Sequence, residues 1–177
     1  MKQAQMEMVG LVIIVILITL GMLFLAQFAL KEDPQKKIFT RKGLAYSTVS
    51  ALMKTTIDDP HCTVGTIGGR LPKVGEDLLE DCAVNYNNPG YSLYKCGEQH
   101  SCTFLNEQVT ALLEQTLGQW HKRYEFRSEL VKPDGSIEVL VGPVGSGCPK
   151  SKDRDSSEFF FLNTDAGLVE SVLYVCD

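Results

Sequence analysis

The residues of this 177-residue chain best suited to chemistry are six cysteines and three histidines. The cysteines are Cys62, Cys82, Cys96, Cys102, Cys148 and Cys176, and the histidines are His61, His100 and His121. Cys96, His100 and Cys102, with Cys82 or His61 close by in sequence, are ligand types that zinc accepts. However, C-x-x-x-H-x-C is not a standard zinc knuckle, and the chain has no C-x-x-C, which also argues against a thioredoxin-like exchange site. No G-x-S-x-G, HExxH or Walker loop occurs, and the glycine-rich "GTIGGR" and "GPVGSG" read as turns. The sequence therefore points to no catalytic residue, no metal and no cofactor. Pairing is the chemistry left for the cysteines. An even number, all beyond an apolar N-terminal segment, predicts disulfides in an oxidising space; the alternative is free thiols in a reducing one. Spacing does not fix the connectivity. Cys148 with Cys176, and the other four among themselves, is the preferred pattern.

A carboxylate is the other residue that calls for an explanation. Glu7 stands at the head of "QAQMEMVGLVIIVILITLGMLFLAQFAL", residues 3–30, and Met8 to Leu30 carries no charge. As a helix that stretch would extend roughly 35 Å, against about 30 Å for the core of a bilayer. A charge in this setting costs about 2.5–3.5 kcal/mol at mid-helix and less near the interface. A fixed cation would offset the cost, and the helix dipole contributes about 0.3–1 kcal/mol. The run is too long for a cleaved secretory signal and no small-x-small site closes it cleanly, so the segment is expected to be retained. Lys31, Lys36, Lys37, Arg41 and Lys42 follow it, whereas Lys2 alone precedes it. The charge rule by itself would put the C-terminal part in the cytoplasm. The cysteines put it outside, and they are given the greater weight.

Gln3, Glu7 and Leu11 have the spacing Q-x-x-x-E-x-x-x-L, immediately before the apolar run. This resembles the class III signal sequence of archaeal type IV pilin-like proteins, usually written Q-x-S-x-E-x-x-x-L. Gln5 stands in place of the serine, and Lys2 where a glycine commonly precedes the cut. The resemblance implies that a short basic leader is removed, making Gln3 the first mature residue, with cleavage after Ala4 as the alternative. It also implies that the retained helices pack into a central bundle, with Glu7 facing a neighbour's N-terminal ammonium. The implied partner is the chain itself, as a helical homopolymer at the cell surface, with the membrane as host before assembly. A net charge of −5 argues against nucleic acid. A single-pass, membrane-anchored extracytoplasmic binding domain is the competing expectation.

The elements behind these residues are legible in outline. Residues 1–33 form the leader and apolar helix, and residues 34–177 a head. Asp33 and Pro34 suit the cap and first position of a second helix or a kinked continuation, reaching about Thr56 with Ala45, Val49, Leu52, Met53 and Thr56 on one face. Residues 59–102 read as loop-rich, with a thin core and one helical turn at "GEDLLEDCA". "NEQVTALLEQTLGQWHKR" reads as an amphipathic helix capped by Asn106, with Leu105, Val109, Leu112, Leu113, Leu117 and Trp120 facing the core and His121 at its end. Two hairpins follow: "YEFRSELV" with "SIEVLVG" around "KPDG", and "EFFFLN" with "LVESVLYVC" around "TDAG". The flexible, charged loop "PVGSGCPKSKDRDSS" joins them. The expected fold class is α+β: a long N-terminal apolar helix carrying a disulfide-bonded head of helix and antiparallel strands.

Overall fold

The computed structural model describes residues 2–29, 34–59, 62–64, 71–88, 90–96, 99–149 and 154–176. The chain divides into two compact units, Met1–Lys37 and Ile38–Asp177. Helix α1 spans Lys2–Ala29 and α2 spans Pro34–Lys54. Asp33 and the junction at residues 30–33, where a cap or kink was expected, lie outside the described residues.

The second unit is built from α2 onward. Its elements are β1 (Cys62–Val64), a π-helical turn (Val74–Leu79) running into α3 (Glu80–Asn85), and β2 (Tyr94–Cys96). Then come α4 (Ser101–Leu113), extended by a second π-helical turn (Glu114–Gly118), and five strands. These are β3 (Arg123–Val131), β4 (Ile137–Val144), β5 (Arg154–Ser156), β6 (Phe160–Thr164) and β7 (Gly167–Cys176). The strands form one antiparallel sheet in the order β4-β3-β7-β5, with β6 pairing the earlier stretch of β7.

Alternation decides which face of the sheet is covered. Along β3, Tyr124, Phe126, Ser128 and Leu130 are buried while their neighbours are only partly so. This period of two fixes the register, because a one-residue slip would turn the whole apolar row to water. Across the ladder, Phe126 meets Leu173 and Leu130 meets Val169. Ala45, Val49, Leu52 and Met53 of α2 and Leu105, Val109, Leu113 and Leu117 of α4 join that inner face in one hydrophobic cluster. Each large aliphatic side chain so covered contributes about 1.5–3 kcal/mol. Ser128 and Ser171 face each other within it and satisfy their hydroxyls mutually at 2.8 Å. Each hydroxyl thereby enters the core with a hydrogen-bond partner.

Four expectations are corrected. The stretch 59–102 does supply core: Val74, Leu78, Leu79, Cys82 and Ala83 are buried, since the π-helical turn and α3 present them on one side. Helix α4 begins at Ser101, and its cap is His100, whose Nδ1 accepts the Cys102 N–H at 3.2 Å. Asn106 instead accepts the Gly142 N–H and ties α4 to β4. Trp120 is 62 % exposed and outside the core, because a π-helical turn advances less far around the axis per residue and carries Trp120 off the stripe of Leu113 and Leu117. Within the charged loop, residues 154–156 form β5, whereas 150–153 lie outside the described residues.

Disulfides and an ion pair close the head. Cys82–Cys102 joins α3 to α4, and Cys148–Cys176 joins the segment after β4 to the end of β7. Cys96 is disulfide-bonded as well, and Cys62 stands directly across from it in the β1–β2 register. A further tether is electrostatic. Arg41 of α2 donates to Asp155 of β5 at 2.7 Å, with both residues buried.

Two outcomes follow. A non-reducing peptide map should recover Cys82–Cys102, Cys148–Cys176 and Cys62–Cys96, and alkylation without reduction should label no thiol; a labelled pair would refute the arrangement. Replacing Arg41 with Met should destabilise the oxidised protein by about 3–5 kcal/mol in urea unfolding, because it strands the buried Asp155 carboxylate. Adding Asp155→Leu should restore most of that loss, and a double variant no better than the single would argue that the pair's charge is not the cause.

Candidate functional site

The residues singled out at the N-terminus, Gln3, Glu7 and Leu11, have their backbone in α1, and their side chains lie outside the described residues. A spacing of four aligns their Cα positions along one side of a helix. The side chains described in α1 are those of residues 12–27, with Gly10. Among the residues whose side chains are described, no helix is long and apolar enough to cross a membrane. Within that stretch the apolar side chains lie open: Leu17, Met22, Leu23, Phe24 and Leu25 are all more than 60 % exposed.

In the head, the polar residues closest to a reactive arrangement are committed to holding the chain. Asp81 accepts from Asn85 Nδ2 at 2.7 Å, Ser92 Oγ at 2.7 Å, and the Leu93 and Tyr94 N–H groups at 3.0 and 3.3 Å. One buried carboxylate thus orders residues 85–94, a stretch rich in turn residues and poor in apolar ones. Asp77 accepts the Lys73 N–H at 2.8 Å and the Tyr94 hydroxyl at 3.3 Å. His100 uses both ring nitrogens: Nδ1 caps α4, so Nε2 carries the proton and faces the Asn85 carbonyl at 3.2 Å. Cys82 and Cys102, candidate zinc ligands by type, share a disulfide, and Cys96 is in one also. Among the described residues no three such side chains converge. His121 is exposed with φ +54° at the end of the α4 extension, and His61 lies outside the described residues.

Two tyrosines have perturbed hydroxyls. Tyr124 is buried and donates to Glu114 Oε2 at 3.0 Å; burial first, then that carboxylate, push its hydroxyl up to about 12. Tyr174 lies on the outer face of the sheet. Arg127 donates to its hydroxyl at 3.1 Å, and the Arg154 guanidinium sits 3.6 Å from its ring centroid. Burial pushes this hydroxyl up, but the hydrogen bonds and charges of Arg127 and Arg154 outweigh it and hold the group below the usual phenol value.

Sequence reasoning missed the surfaces that remain open. Leu44, Thr48 and Ala51 of α2 with Leu112, Thr116 and Trp120 line an apolar groove of about 350 Å³. On another side of α2, Phe39, Lys42, Gly43 and Tyr46 face Ser156, Ser157 and Glu158 across a groove of about 410 Å³. For the second groove Phe39 and Tyr46, aromatics off the α2 stripe, were the available signal, since an aromatic that cannot reach the core must stand in water or in an interface. Comparison with family models, curated proteins and solved structures finds no match for the chain.

The tyrosines yield a pH prediction with a definite sign. A folded-state value near 12 for Tyr124, against 10.0 ordinarily, means stability fully present below pH 10 and lost as the pH climbs through 12. Urea midpoints should therefore fall more steeply above pH 10 in wild type than in Tyr124→Phe. In a tyrosinate absorbance titration, Tyr174→Phe should instead remove a phenol that ionises below the ordinary value. Identical profiles for both variants and wild type would refute the assignment.

Proposed function

We propose that the chain is the structural subunit of an extracellular, type IV pilin-like filament that polymerises through α1. The observation that carries this reading is the open apolar surface of α1 beside a head already provided with its own core. The head's hydrophobic cluster runs from Ala45 to Val175, whereas Leu17, Met22, Leu23, Phe24 and Leu25 of α1 lie mostly in solvent. Covering such side chains yields about 1.5–3 kcal/mol each, so copies of α1 gain by packing together. The disulfides suit the oxidising space in which a cell-surface polymer works, and α1 would reside in the membrane before assembly. Glu7 then has a physical role as the counter-charge to a neighbour's N-terminal ammonium.

A membrane-anchored extracytoplasmic binding domain is the second reading. It is favoured by the apolar groove between α2 and α4, where Trp120 stands exposed at the rim as a ligand-contacting aromatic would.

Glu7→Gln separates the two readings. In a filament it leaves an ammonium without its partner inside an apolar bundle, a loss of about 3–5 kcal/mol. Assembly should collapse while membrane insertion is normal or improved, as judged by fractionation and by counting filaments in negative stain. N-terminal sequencing of the wild type should begin at Gln3 or Gln5. An intact Met1 with no filaments from the wild type would leave the anchored domain.

A further inference from the structure

Between Met8 and Leu30 the chain has two polar side chains, Thr19 and Gln27, and both are exposed on α1. Their hydrogen-bonding states are complementary. Thr19 Oγ1 donates its one proton to the Ile16 carbonyl at 2.9 Å, so the hydroxyl has only accepting capacity left. The Gln27 amide, with two N–H donors, has no hydrogen-bond partner among the described residues. Exposed apolar side chains surround both positions, among them Val15, Met22, Leu23 and Phe24. Once such a surface is covered, water no longer reaches the amide, and an amide left unpaired there is costly.

We infer that, in the filament, the Gln27 amide of one copy donates to the Thr19 hydroxyl of the next. The inference rests on the filament reading and deepens it, because it names a contact that sets the axial shift between adjacent α1 helices. In that reading the heads all leave the membrane on one side, so copies of α1 run parallel. Gln27 lies eight residues beyond Thr19, and at 1.5 Å per residue their meeting displaces the two helices by on the order of 10 Å.

A displacement of that kind cannot be reciprocal between parallel helices. If one copy stands forward of its neighbour, the neighbour stands behind it, and the second Gln27 cannot reach the first Thr19. A closed parallel pair is therefore excluded, and each copy offers Thr19 to one neighbour and Gln27 to another. The two residues stand about 80° apart around the helix axis, which lets one helix serve both. The Glu7 pairing calls for a shift of only two to four residues, from Gln5 or Gln3, and so involves a different neighbour in the same bundle.

The test uses the full chain. Thr19→Cys and Gln27→Cys, combined in one chain and bridged after assembly with a short bifunctional methanethiosulfonate, should give a ladder of covalent dimers, trimers and longer species on a non-reducing gel. Each single cysteine variant should give monomer. A ladder that stops at the dimer would make the contact reciprocal, and dimers from either single variant would place like residues level; each result overturns the inference. Monomer throughout, from filaments of normal number, overturns it and leaves the filament reading standing. Substitution supplies an independent arm, read by filament counts in negative stain. Thr19→Val strands the amide and should lower the count by about threefold to thirtyfold. Adding Gln27→Leu should restore most of it, because removing both partners of a covered hydrogen bond costs little. A double variant no better than Thr19→Val overturns the inference, and so do wild-type counts for Thr19→Val, which would assign the Gln27 amide to headgroups or water. Absence of filaments from the wild type would overturn the filament reading, and this inference with it.

Discussion

The head depends on the burial of one stripe of α2. Ala45, Val49, Leu52 and Met53 complete a cluster to which α4 and the inner face of the sheet contribute, and Arg41 on the same helix reaches the buried Asp155 of β5. The short strand β5 has only three residues with which to hold its place against β7. Its inward carboxylate is held by a cation projecting from α2. A buried pair of this kind adds little net stability over an apolar pair of the same volume, but either partner alone is expensive to leave. The consequence is specificity: β5 is tied to the one position at which Asp155 meets Arg41.

A second constraint governs the stretch before α4. Residues 85–94 hold few apolar side chains, so ordinary burial would not order them. Asp81 does so by receiving two backbone N–H groups and two side-chain donors at its single carboxylate, beside a disulfide one residue further on. Hydrogen bonds to a charged acceptor are roughly twice as strong as neutral ones, which is why one aspartate can substitute for a missing patch of core. Ser92 and His100 are engaged by the local fold in the same way. Each acceptor is already occupied by a group that the local fold requires.

The surfaces bear on assembly. The chain of the proposed filament would have to keep some apolar area available while its monomer stays folded, and the exposed apolar area of this chain is divided. Leu17, Met22, Leu23, Phe24 and Leu25 on α1 form one part. The aromatic groove on α2 and the phenylalanine pair at the start of β6 form another, smaller part. In the proposed filament, non-directional burial along α1 would supply association energy.

Local information was enough for much of this protein. Alternation in "YEFRSELV" and "LVESVLYVC", and turn chemistry at "KPDG", specified strands β3 and β7 and the first hairpin, because period and turn geometry are properties of neighbouring residues. The stripe of Ala45, Val49, Leu52 and Met53 was legible for the same reason, whereas Thr56, expected on it, is exposed beyond the end of α2 and bridges Lys73; the Cys148–Cys176 pairing was the preferred one. Other features were settled only by tertiary structure. His100, a residue seldom read as a helix cap, caps α4 because the fold places Asn85 against its other nitrogen. A π-helical turn, invisible to a 3.6-residue period, carries Trp120 off the core stripe. Asp155 sits in a charged stretch that reads as loop, and only Arg41, 114 residues away, makes it a buried strand residue. The grooves on α2 likewise depend on what packs beside the helix, and no local pattern encodes a surface whose second wall comes from β5 or α4. Helical and strand periods are short-range quantities; the partners of a buried charge and the walls of a groove are contributed by residues far apart in the chain.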